Sequence, residues 1–151
     1  VPAPRAKINP EARSAILSAD LIVIGPGDLY TSLIPNLLVG GVPGAIKKSS
    51  AKKVFVCNLM TKFGETHGLY AEDFVDEIEK YFGKGVLDYA IFNNKRPQAA
   101  ILAKYRKEMA EFVAPPVVKS SVSNILTDLL APGSFIRHDH KKLAKVLTRL
   151  L

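Results

Sequence analysis

The sequence has a single cysteine, no tryptophan and no long hydrophobic run. One cysteine, Cys57, excludes an internal disulfide and a zinc site built from several cysteines. No apolar stretch approaches the roughly 18 residues that a membrane-spanning helix needs. The first residues, VPAPRAK, lack the apolar segment of a secretory signal peptide. We therefore expect a cytoplasmic protein without a membrane span.

The remaining composition is that of one folded domain. The chain has 151 residues, of which 48% are hydrophobic and 23% are charged, a balance that is not typical of disordered chains. The net charge of +7 favours an anionic partner without distinguishing phosphate esters, acidic proteins and nucleic acids. Aromatic residues make up only 8%, and no RNP-like or zinc-finger pattern is present. We therefore expect no nucleic-acid partner.

Apolar runs alternate with segments of helical periodicity along the chain. Strands are predicted at residues 20–25, 53–58 and 88–93, with weaker candidates at 116–119 and 134–136. Helices are predicted at residues 10–19, 31–39, 42–50, 71–82, 97–112, 123–130 and 139–151. This alternation implies crossover connections, and hence an α/β fold with a mostly parallel sheet and helices on both faces. The first strand is expected to be buried on both faces.

The loop after the first predicted strand reads GPGDLYTS and leads into a helix that we expect to be capped by Thr31 or Ser32. Glycines allow close approach of a ligand, and free N–H groups at a helix start attract anions, so this loop is a candidate phosphate site. A plain tight turn explains the same residues equally well. Asp28 would repel a phosphate unless a metal or a lysine lies between them. It could instead cap the helix or bind a ribose hydroxyl.

Further candidate residues follow the other strands. In the long loop after the second strand, polar side chains such as Asn58, Glu65 and Thr66 either orient a ligand or stabilise the loop internally. Asn93 either forms a turn or contacts a base or sugar. Arg137 is an anion-binding candidate, Asp139 is predicted to cap the last helix and Cys57 to be core. No spacing indicates a catalytic triad, a carboxylate pair or a metal site, so we predict no catalytic residue and no metal ligand.

Two longer strings, ADLIVIGPGDLYTSLIPNLL and KVFVCNLMTKFGET, resemble the YvcK family of gluconeogenesis factors. That family is related to CofD, the 2-phospho-L-lactate transferase. The resemblance runs over nearly the whole chain and ends in FIRHDHKKLA. It implies a Rossmann-like fold and a regulatory protein that binds UDP-sugars, notably UDP-N-acetylglucosamine, with roles in cell shape and gluconeogenic growth. No enzymatic turnover is attached to this branch. The alternative is a metal-dependent phospho-transferase of the CofD type, with Asp28 or Glu65 as metal ligand.

The resemblance also assigns ligand-binding residues. They are Gly25, Gly27, Tyr30, Thr31, Ser32, Asn58, Gly64, Glu65, Thr66, Tyr105 and Arg137, with Asp28 and Asn93 as further candidates. The sequence departs from the family pattern at Asp28, where serine is usual, at Lys62-Phe63, where Gln-Pro is common, and at Phe74, where histidine is common. Residues 1–151 match only the C-terminal portion of the family's nucleotide-binding domain. We therefore expect the site to need either a homo-oligomer or the N-terminal half, which carries a GGGTG-type loop.

Overall fold

The structure is a computed structural model that describes residues 6–117 and 122–151. Its helices are α1 (Pro10–Ser18), α2 (Ile34–Leu37), α3 (Val42–Lys48), α4 (Ala71–Phe82), α5 (Ala99–Arg106) and α6 (His140–Thr148). Its strands are β1 (Leu21–Ile24), β2 (Lys52–Val56), β3 (Tyr89–Asn93) and β4 (Ser123–Thr127). A π-helical turn, Leu29–Leu33, runs directly into α2. No helix within the described ranges is long and apolar enough to cross a membrane.

The four strands form one parallel sheet in the order β1-β2-β3-β4. The predicted α/β fold with a parallel sheet is therefore confirmed. The prediction that the first strand is buried on both faces is wrong, because only Ile24 of β1 is buried, whereas Leu21 and Ile22 are half-buried and Val23 is exposed. This strand lies at the edge of the sheet and pairs only with β2 among the described strands. Val23 of this edge strand is 39% exposed, whereas the core positions of β2 and β3 are buried.

Hydrophobic residues bury both faces of the sheet. On one face, side chains of α2, α3 and α4 pack with Ile24, Phe55 and Phe92 in the larger cluster. On the other face, the apolar stripe of α6 packs against Val54, Val56 and Ile91. Alternate residues of each parallel strand point to opposite faces, so both faces need a cover. The predicted arrangement of helices on both faces is confirmed.

The helix predicted at residues 123–130 is wrong. Ser123–Thr127 is instead strand β4, which pairs with all five residues of β3 from Tyr89↔Ser123 to Asn93↔Thr127. Apolar residues at 125, 126, 129 and 130 mimic helical spacing, but pairing with β3 and packing of Ile125 beneath α6 decide the conformation. The weak strand candidate at 116–119 lies partly outside the described residues, and positions 116 and 117 are not in a strand.

Three other boundaries differ from the prediction. The helix expected at 97–112 covers only Ala99–Arg106, and Met109, with a φ of 53°, lies in the left-handed region beyond its end. Residues 134 and 135 form a bend, and residue 136 is not in a strand either. The helix expected to start at Thr31 or Ser32 begins earlier, because the Asp28 carbonyl accepts the amides of Ser32 and Leu33. The predicted cap at Asp139 is confirmed, and Asn9 caps α1 in the same way, since each side chain accepts an amide of the following turn.

Candidate functional site

A cavity of about 310 Å³ opens at the carboxyl ends of β1 and β2. It is lined by Pro26, Gly27, Asp28, Asn58, Leu59, Met60, Tyr105, Ile136, Arg137 and His138. Ligands of open α/β sheets bind beyond the carboxyl ends of the strands, which is where this cavity lies. The lining combines the glycine-rich loop after β1 and the polar loop after β2 with one arginine, one tyrosine and one histidine. It can therefore contact an anionic, partly apolar small molecule.

The first loop enters the cavity wall through a sharp bend at Gly25, which has a φ of +90° and a cis bond to Pro26. A Cβ at Gly25 would lie 2.8 Å from the Val56 carbonyl oxygen, so only glycine fits against β2 here. The amides of Ser32 and Leu33 donate to the Asp28 carbonyl at 2.9 and 3.0 Å. The amide of Ser32 is thus bonded within the turn and is not free to bind the phosphate expected there. Any anion that binds this loop would contact the residues before Ser32.

The second loop is fixed by a short antiparallel ladder with the segment after α5. The Thr61 amide donates to the Glu111 carbonyl at 2.7 Å, and Thr61 Oγ1 accepts the Glu111 amide at 2.8 Å. Thr66 is also buried, and its Oγ1 accepts the Lys62 amide at 2.9 Å. Asn58 Oδ1, in contrast, is buried at the cavity and has no hydrogen-bond donor among the described groups. Asn58 therefore offers a strong acceptor for a ligand donor.

The third part of the wall comes from the chain between β4 and α6. The Leu130–His138 bridge closes a short hairpin, and the Ile136 amide donates to the Tyr105 hydroxyl at 2.9 Å. This bond ties α5 to the segment that carries Arg137. Because the amide donates, the Tyr105 hydroxyl hydrogen is left for another acceptor.

His138 is half-buried between the cavity and the sheet. Its Nε2 lies 3.2 Å from the Cys57 carbonyl oxygen, which can only accept, so the ring proton sits on Nε2. Burial lowers the pKa of His138 below 6.5, although the bond to Cys57 acts in the opposite direction. His138 is therefore a neutral imidazole at neutral pH. Sequence reasoning missed its role because the contact to Cys57 joins two segments far apart in the chain.

The predicted ligand residues divide into two groups. Those that line the cavity are Gly27, Asp28, Asn58, Tyr105 and Arg137. Those that do not line it are Gly25, Tyr30, Thr31, Ser32, Gly64, Glu65, Thr66 and Asn93. The lining residues that the sequence did not single out are Pro26, Leu59, Met60, Ile136 and His138. The four apolar residues of this set carry no sequence signal of a site, because apolar loop residues resemble core residues.

Two of the predicted polar residues have clear structural partners. Asn93 is buried, its Nδ2 donates to the Lys95 carbonyl, and its Oδ1 accepts the amides of Lys95 and Leu129. Tyr30 lies beside Glu77 of α4, and burial together with Glu77 raises the pKa of its phenol. Both side chains thus stabilise the ends of strands and helices instead of facing the cavity.

The acidic groups near the cavity do not form a metal site. Lys62 Nζ lies 2.7 Å from both Asp28 Oδ2 and Glu65 Oε1. No group of three or more histidine, cysteine or acidic side chains that could hold a metal ion occurs in the part of the chain that the structure describes. The carboxylates that a metal-dependent transferase would use here are therefore both paired with an ammonium group.

Comparison with known proteins identifies related chains. The family model described as "2-phospho-L-lactate transferase CofD" matches residues 1–130. A Thermotoga maritima protein is 44% identical over 150 residues, covering 93% of this chain and 47% of that protein. The Bacillus subtilis gluconeogenesis factor is 38% identical, with 94% and 46% covered. A crystal structure of a Bacillus halodurans protein superposes with a TM-score of 0.87 at 38% identity, covering 94% of this chain and 47% of that one. The chain spans about half the length of these relatives.

Proposed function

The chain belongs to the CofD family, as its YvcK-type strings predict, and we propose that it forms part of a nucleotide-sugar site in a regulatory gluconeogenesis factor. The ligand is UDP-N-acetylglucosamine or a related nucleotide. The names of relatives such as the Bacillus subtilis gluconeogenesis factor support a role in gluconeogenic growth. A role in cell shape is part of the proposal on the family resemblance alone. The convergence of Asn58, Tyr105 and Arg137 on one cavity is the observation that carries this proposal.

The chemistry of these three side chains suits different parts of a nucleotide sugar. Arg137 supplies a permanent positive charge for a phosphate, and its planar guanidinium can donate two parallel hydrogen bonds. The Tyr105 hydroxyl and the buried Asn58 Oδ1 offer a donor and an acceptor for hydroxyl or amide groups. A cavity of about 310 Å³ lies at the lower end of the ligand-pocket range. The proposal therefore assigns only part of the ligand to this chain.

A CofD-type transferase remains the alternative function. It would need a divalent metal on Asp28 or Glu65, but both carboxylates contact Lys62, so the donor set fits such a metal poorly. Metal-dependent release of a nucleoside phosphate from a nucleotide-activated substrate, abolished in Glu65→Gln, would support the transferase over the regulatory protein.

Isothermal titration of the full-length protein with UDP-N-acetylglucosamine tests the proposal. We expect saturable binding, weakened by roughly 10- to 100-fold in Arg137→Ala, since a charged hydrogen bond to phosphate is lost. Arg149→Ala is the matched control, because Arg149 lies at the far end of α6 and does not line the cavity. Absence of saturable heat in the wild type, or equal affinity of the wild type and Arg137→Ala, would contradict the proposal.

A further inference from the structure

One group of ion pairs connects the first and second loops. Lys62 Nζ lies 2.7 Å from Asp28 Oδ2 in the first loop and 2.7 Å from Glu65 Oε1 in its own loop. Thr31 Oγ1 of the π-helical turn donates to Glu65 Oε2 at 3.5 Å, a second and weaker link. We call Asp28, Lys62 and Glu65 the loop clamp. It joins residues 34 positions apart in the sequence.

The loop clamp sets the charge at the cavity wall. Asp28 lines the cavity beside Gly27, and the same cavity is lined by Arg137. An unpaired carboxylate there would repel a phosphate bound in the cavity, because the repulsion between two like charges acts over several ångströms. The Lys62 ammonium contacts that carboxylate and so offsets its charge.

We propose that Lys62 is a positioning residue of the ligand site, which offsets the charge of Asp28 and holds the second loop against the first so that an anionic ligand is accepted. The ligand class, a nucleoside diphosphate sugar, rests on the proposed function. Lys62 itself does not line the cavity, so it acts through Asp28 and not by a contact of its own.

Two observations separate this role from a role in folding. The Lys62 side chain is 52% exposed, and exposed ion pairs contribute little to stability. The Lys62 amide donates to the buried Thr66 Oγ1, so the backbone of the loop stays bonded when the side chain is changed. Substitution of Lys62 should therefore alter ligand binding while leaving the folded structure in place.

A charge-neutralisation series measured by isothermal titration tests the proposal. Lys62→Gln should weaken UDP-N-acetylglucosamine by about three- to tenfold, the size expected for one uncompensated charge near a solvated phosphate. Affinity for uridine, which has no phosphate, should stay unchanged. The double variant Asp28→Asn with Lys62→Gln should recover part of the lost affinity, because it removes the uncompensated charge of Asp28 but does not restore the contact between the loops. Lys80→Gln is the matched control, because Lys80 also pairs with a carboxylate three residues away but lies on α4.

Hydrogen exchange of the free protein provides a readout that does not need the ligand. Lys62→Gln should speed exchange of the amides of Ser32, Leu33 and Thr66, and Lys80→Gln should not. If the wild-type protein bound no UDP-N-acetylglucosamine, the proposed function would be contradicted. Hydrogen exchange alone would then test the loop clamp. Unchanged exchange in both loops, an unaffected affinity in Lys62→Gln, or a double variant as weak as the single one would overturn this inference.

Discussion

His138 is the residue at the cavity whose protonation state the fold determines most directly. Its Nε2 donates to the Cys57 carbonyl, and its half-buried ring is more easily kept neutral than charged. The imidazole therefore presents Nδ1 as an acceptor at neutral pH. A protonated ring would place a second positive charge beside Arg137 and would cost the desolvation of an imidazolium.

The lowered pKa of His138 predicts acid sensitivity. Its folded pKa lies below the unfolded value of 6.5, so on acidification the unfolded chain takes up a proton first. The stability that depends on neutral His138 is present above pH 6.5 and is lost as the pH falls through the folded pKa. Denaturant unfolding between about pH 5 and pH 7 should show a smaller pH dependence in His138→Gln than in the wild type. Equal slopes would contradict the assignment, and His67→Gln, an exposed histidine, is the control.

Individual polar residues illustrate what the sequence can predict about the site. Asn58, Tyr105 and Arg137 were predicted and line the cavity, whereas Thr66 and Asn93 were predicted and are occupied by backbone groups. All five are polar residues in or near loops at the carboxyl end of the sheet. The difference depends on partners brought by distant segments, such as the Leu129 amide, and these follow only from the assembled fold.

At the scale of elements, the sequence predicts a helix or a strand most accurately where a local residue pattern alone determines its conformation. Helix α4 has the predicted bounds, Ala71–Phe82, because its apolar stripe and the Gly83 end agree. Strand β4 was predicted as a helix, because its conformation depends on pairing with β3, which is distant in the sequence. The short α5 is a similar case: the segment beyond it turns away to pair with Leu59–Thr61, which periodicity within one segment does not reveal.

The antiparallel ladder between the second loop and the segment after α5 predicts an effect on both stability and ligand binding. Thr61→Val removes the oxygen that accepts the Glu111 amide, and Thr61 itself is buried. Loss of this bond should lower the free energy of unfolding by about 1–2 kcal/mol. It should also weaken ligand binding, since Leu59 and Met60 of the same ladder line the cavity. Thr148→Val is the control, because that exposed hydroxyl bonds only within α6. Equal unfolding midpoints for both variants would contradict the prediction.

At the scale of the whole molecule, the strand order follows the chain order, so the described sheet contains no point at which the order reverses. In doubly wound sheets the ligand crevice forms where the order reverses. Here the cavity lies next to the edge strand β1, and the relatives are about twice as long as this chain. This arrangement agrees with the proposal that the cavity of about 310 Å³ would hold only part of the ligand.

The two edge strands of the sheet, β1 and β4, predict how copies of the 151-residue chain associate in solution. Val23 on β1 and Leu126 on β4 expose apolar surface at the two edges of the sheet, and open edges favour pairing between copies. The net charge of +7 opposes such pairing, and salt screens that repulsion. Light scattering should therefore show the mass rising above 16.4 kDa between about 20 mM and 500 mM salt, since the Debye length shortens several-fold. Val23→Lys should reduce the increase, and Leu38→Lys, an equally charged change at an exposed position at the end of α2, should not. A mass of one chain at every salt concentration would mean that the edges do not pair, because the screened molecule would then lack any driving force for association.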